Sequence, residues 1–93
     1  MSGRPPELGP LVGKNVVLDT SSPYVYIGRL ERAGEEYLVL TDADVHDMRD
    51  AGGTRDAYVV ETKKIGVRVN RSTVFVKVAE IVSLSAIEEV VGF

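Results

Sequence analysis

Apolar and polar positions alternate in short runs along most of this chain. KNVVLD (14–19) places Val16 and Leu18 on one face of a first strand. Residues 24–33 predict a second strand with an internal irregularity. Its aliphatics fall on odd numbers at Val25 and Ile27, then on an even number at Leu30, with Gly28 between. Side chains of a strand alternate between faces, so the change of parity predicts a bend or bulge at Gly28. Glycine tolerates such a bend, or the close approach of a neighbouring backbone. Ala33-Gly34-Glu35 predicts a hairpin turn, and residues 36–41 a third strand with Leu38 and Leu40 inward. TVFVKV (73–78) alternates Val74, Val76 and Val78 against Phe75 and Lys77. After Ala79-Glu80, IVSLS (81–85) resumes as a fifth strand. So tight an interruption suggests a barrel corner.

The remaining stretches break this period. Residues 1–10 hold three of the four prolines and no apolar periodicity, which predicts a flexible N-terminal arm ahead of a single domain over 11–93. Residues 42–53 (DADVHDMRDAGG) are rich in Asp and Gly and predict a loop. Thr54 is an N-cap candidate, Asp56 suits the first turn, Lys63 and Lys64 the last, and Gly66 the position after it. A helix over 55–65 follows, with a strand as the rival reading because of Val59-Val60. Segment 42–72 is thus a loop-helix insertion between strands three and four. Ser85 and Glu88 fit a capping box that opens a short C-terminal helix over 86–91.

Composition narrows the class. Ninety-three residues suit one domain with one lean core. The chain has no cysteine, which excludes disulfides and thiolate metal sites. No apolar run approaches the ~20 residues needed to span a bilayer, and the N-terminus lacks a signal peptide's apolar segment. The expectation is a cytoplasmic protein without a membrane partner. A net charge of −3 argues against a strongly basic nucleic-acid binder taken whole.

The strand pattern, the glycine in strand two and the abrupt corner between strands four and five resemble a small SH3-like barrel, and within it the Sm-like (LSm) family. Gly13-Lys14, Val16, Leu18, Gly28, Leu30 and the run Leu38-Val39-Leu40 with Asp42-Ala43 match its first motif in part, and residues 74–84 match its second loosely. The resemblance implies a mainly β, five-stranded, strongly bent barrel. It also implies a non-enzymatic protein without cofactor, assembled into a homo-oligomeric ring through strand four against strand five of the next copy. RNA or another polyanion is the implied ligand. The base-binding residues of the family do not carry over. Its Asp and Asn between strands two and three are replaced by Glu31-Arg32-Ala33-Gly34-Glu35-Glu36-Tyr37, and its Arg-Gly after strand four by Val78-Ala79. These departures support an alternative, a structural or protein-interaction module that has lost the RNA pocket.

Charge and side-chain chemistry supply the candidate sites. Residues 31–50 carry seven acids against Arg32 and Arg49, whereas 62–79 carry Lys63, Lys64, Arg68, Arg71 and Lys77 with no acid. A basic segment of this kind can follow a phosphate backbone, with Tyr37 as a base-stacking candidate; it can equally complement the acidic segment of another copy. Tyr24, Tyr26 and Tyr58 are further stacking candidates or plain packing residues. Val74, Val76, Val82 and Leu84 are the candidate ring interface. Asp42, Asp44 and His46 would share one side of an extended segment, a spacing compatible with a divalent cation. The plainer reading is a solvated loop whose acids cap turns.

Overall fold

Five strands form one antiparallel sheet in the order β4-β3-β2-β1-β5. The computed structural model describes residues 6–50 and 52–92. The strands are β1 (Asn15–Thr20), β2 (Tyr24–Ala33), β3 (Tyr37–Asp47), β4 (Arg71–Lys77) and β5 (Ile81–Ala86). One α-helix, α1 (Arg55–Ile65), lies between β3 and β4 in the chain. Among the described residues the sheet does not close on itself, so β4 and β5 stand at its edges, each with one strand neighbour.

Both faces of the sheet bury apolar side chains. On the first face Val16, Leu18, Leu30, Ala33, Leu38, Leu40, Ala43 and Val76 are buried together. Residues 1–5 of the expected arm lie outside the described residues. Pro6–Leu11 forms a 3-10 turn whose Leu8 and Leu11 pack against this first cluster. On the second face Val17, Val25 and Ile27 are buried against Val59 of α1. Strand β1 therefore alternates between two apolar environments, and three successive residues, Val16, Val17 and Leu18, are buried in consequence.

The two faces explain the irregularity in β2. Tyr26 and Leu30, both even, pack with the first cluster, so alternation runs unbroken through Gly28. What changes at Gly28 is which face of the strand is apolar. Before it the strand feeds the helix-covered face; after it, the opposite one. The register does slip at this point, because β3 carries an extra residue between the partners of Ile27 and Arg29. Asp42 lies in that stretch of β3 with φ 49°. The parity change proper comes later, at Glu31-Arg32. There β2 carries the extra residue, and the odd-numbered Ala33 joins Leu30 on the first face.

Helix α1 forms as its caps dictate. Thr54 Oγ1 accepts from the Ala57 N–H at 3.1 Å, and the Gly66 N–H, at φ 98°, donates to the Thr62 carbonyl at 2.8 Å. Two expectations fail. The Asp-rich segment is strand rather than loop as far as Asp47, so β3 is nearly twice its expected length. The C-terminal helix reduces to a 3-10 turn, Ile87–Glu89, without a side-chain cap. Ser85 and Ala86 are claimed by the β1 ladder, opposite Val17 and Val16, which leaves no room for a capping box.

Candidate functional site

The long β3 survives its polar sequence because its acids are held one by one. Asp42, at the bulge, pairs with Arg29 at 3.2 Å. Asp44 is buried and accepts from the Tyr58 hydroxyl of α1 and from Asn70 Nδ2, the latter at 3.0 Å. Asp47 receives the Arg49 guanidinium at 2.8 and 3.0 Å, and that bond holds its carboxyl below the usual range. The Tyr58 hydroxyl is pushed well above its ordinary pKa, by burial first and by the Asp44 carboxylate second. His46 stacks on the Tyr58 ring with centroids 4.3 Å apart and planes 21° apart.

Asn70 is the residue that sequence reasoning missed here. Its side-chain amide exchanges hydrogen bonds with the Val45 backbone, at 3.0 Å from the Val45 N–H and 3.1 Å to the Val45 carbonyl. Its own N–H donates to the Ala43 carbonyl at 2.9 Å. Asn70 thus stands in for a ladder partner just before β4 begins at Arg71. No local sequence signal marks such a role. Asp42, Asp44 and His46 accordingly do not converge: one faces Arg29, one Tyr58 and Asn70, and one stacks on a ring. Among the described residues no group of three His, Cys, Asp or Glu side chains is placed to hold a metal ion.

The basic segment is distributed over several elements. Lys63 donates to the Val90 carbonyl and so ties the last turn of α1 to the tail after β5. Lys64 lies on the rim of a groove beside α1. Arg68 is 4.0 Å from Glu61, with both side chains exposed. Arg71 begins β4 and lies close enough to Tyr26 to oppose the rise in that hydroxyl's pKa, which is driven by burial, Tyr24 and Glu80. Tyr24 and Tyr26 form a tilted ring pair at 6.4 Å. Tyr37 meets Phe75 of β4 edge to face, with centroids 6.2 Å apart.

The candidate interface residues divide. Val76 is buried in the chain's own first-face core, and Val74 and Leu84 pack against the same cluster. Val82 is 72% exposed. Phe75, which alternation places on the opposite face from Val74 and Val76, is 57% exposed and is the large apolar side chain that β4 offers to solvent.

A groove of about 810 Å³ runs on the second face between α1 and the β1–β5 pair. Val17, Val59, Val60 and Val90 form much of its wall, and Ser85 of β5 opens onto it. Arg55 of α1 and Asp19 of β1, both in its lining, pair at 3.0 Å, and Ser83 donates to the same carboxylate at 3.0 Å. The sequence gives no hint of this groove, because its walls come from segments far apart in the chain. Among the described residues no helix is long and apolar enough to cross a membrane. No protein-family model matches the chain and no curated protein matches it.

Proposed function

We propose that this chain is a non-enzymatic assembly module of Sm-like type, copies of which join β4 to β5 into a closed homo-oligomeric ring of roughly five to seven. The two open edges of the sheet carry this reading. Each edge strand presents an unpaired row of backbone N–H and C=O groups. Phe75 on one and Val82 on the other are large apolar side chains left mostly in water. Soluble proteins normally blunt such edges with proline, a bulge or inward charge. Strand β4 carries charge at its two ends, Arg71 and Lys77, and β5 a bulge at Val82, while residues 72–76 of β4 and 83–86 of β5 carry none of these. Pairing between copies satisfies both edges at once, and a head-to-tail contact that closes leaves none open. Light scattering at micromolar concentration tests the proposal: a single oligomeric mass is expected, and a monomer rejects it. Val82→Lys is expected to shift the mass toward monomer while the circular dichroism stays unchanged.

A second reading adds RNA or another polyanion as ligand. The observation that favours it is the Tyr24–Tyr26 ring pair, with the positive charge of Arg71 felt at the Tyr26 hydroxyl. Partly exposed rings offer stacking faces, and a guanidinium on the adjoining part of the sheet offers a phosphate contact. Without such binding the same assembly acts as a structural or protein-interaction module.

A further inference from the structure

We infer that the groove between α1 and β5 receives Phe75 of a second copy of this chain. The inference rests on the edge-pairing reading and specifies what that pairing puts together. On β4, Val74 and Val76 face the first-face core, so Thr73, Phe75 and Lys77 face the other side. On β5, Leu84 faces the first-face core, and Ser83 and Ser85 stand opposite Asp19 and Val17 on the helix-covered side. A second copy's β4 that extends the sheet past β5, with the core-facing sides in line, therefore carries Phe75 onto the groove side. Neighbouring strands lie about 4.8 Å apart and opposed Cβ atoms about 5 Å apart, so the ring lies within reach of the groove wall.

Size and charge agree with this placement. Ser83 and Ser85 are small, and they leave the space above β5 to a bulky partner. The groove behind them is walled by Val17, Val59 and Val60 and at about 810 Å³ holds a phenyl ring with room to spare. Lys77 lies two residues beyond Phe75 on the same side of β4, and the groove's lining, with Asp19, Asp56 and Glu61 against Arg55 and Lys64, holds one more acid than base. In the single chain Phe75 has an edge contact with Tyr37 and is otherwise mostly in water, so its docking gains apolar burial without undoing the chain's own core. Helix α1 would then build one wall of a socket for the neighbouring copy.

A photoreactive benzoyl-phenylalanine at position 75 tests this in the full-length protein, since it keeps an aromatic ring at the site. After irradiation of the assembled protein, cross-links between two copies are mapped by peptide mass spectrometry. Attachment to residues 55–65 or to Val90 is the expected result. In parallel, Phe75→Ala should raise the concentration at which the oligomer dissociates by about tenfold or more, and Phe75→Leu by less. An oligomeric mass with inter-copy cross-links elsewhere, or with Phe75→Ala indistinguishable from the parent, overturns the socket and leaves edge pairing standing. A monomeric mass for the unaltered protein overturns both.

Discussion

Gly28 of β2 and Ala43 of β3 lie so close that no side chain fits between them. A Cβ at position 28 would stand 2.8 Å from the Ala43 Cβ and 2.9 Å from its Cα. Glycine is needed there for that approach. Gly28→Val should lower stability by at least about 1–3 kcal/mol through overpacking of a site that cannot widen without parting two strands. Adding Ala43→Gly should recover part of the loss, because one of the two contacts disappears with the Ala43 methyl. Urea unfolding of the single and double variants measures both effects, and an unchanged midpoint for Gly28→Val contradicts the claim.

Tyr58→Phe removes one donor from the buried Asp44 carboxylate and leaves it with Asn70. The expected loss is about 1–3 kcal/mol by chemical denaturation. The same pair sets a pH dependence. The folded state holds the Tyr58 hydroxyl protonated above its ordinary pKa of 10.0, whereas the unfolded chain releases that proton near 10.0. The stability so contributed is complete below that value and falls as pH rises through it. Thermal melts between neutral pH and the region above 10 should show a steeper loss for the parent than for Tyr58→Phe.

Thr54→Ala deletes the side-chain cap of α1 and should cost about 1 kcal/mol, while Thr54→Ser should cost little. Since α1 covers Val17, Val25 and Ile27, the loss should appear in the single global transition and not as a separate melting of the helix. A distinct early helix transition by circular dichroism would count against this.

If RNA binds at the tyrosine pair, Tyr24→Ala should weaken binding by about 1–3 kcal/mol through lost stacking. Arg71→Ala should reduce the salt slope by about one phosphate contact and act nearly alike on all sequences. Titration of short single-stranded RNAs at two salt concentrations reads both. Lys63→Ala should act mainly on stability, because its ammonium already serves the Val90 carbonyl.

The limits of β2 and α1 were legible because their determinants are local: alternating aliphatics in one case, Thr54, Asp56 and Gly66 in the other. The strand over 42–47 was not, because its acids are tolerated only through Arg29, Tyr58, Asn70 and Arg49, three of which are remote in the sequence or on other elements. The Ser85–Glu88 cap was a sound local signal that lost to a ladder with β1, a partner about seventy residues earlier in the chain. The Gly28 irregularity was visible, but its cause was not. One sequence of odd and even positions cannot distinguish a kinked strand from a straight one that exchanges its apolar side between two layers. Exposed Phe75 and the groove beside α1 depend on sheet order, which periodicity does not contain.

Strand β1 gives Val16 and Leu18 to one core and Val17 to the other. No plane can be drawn through the molecule that separates the two cores without cutting this strand. Opening either layer therefore withdraws support from the backbone that the other layer packs on, and partial unfolding of one side alone is disfavoured. Amide protons of residues 16–18 should accordingly exchange with solvent only through whole-molecule opening, at a rate set by global stability. A cavity cut on the helix side, such as Ile27→Ala, should speed the exchange of Leu40 on the opposite face as much as that of Val25 beside it.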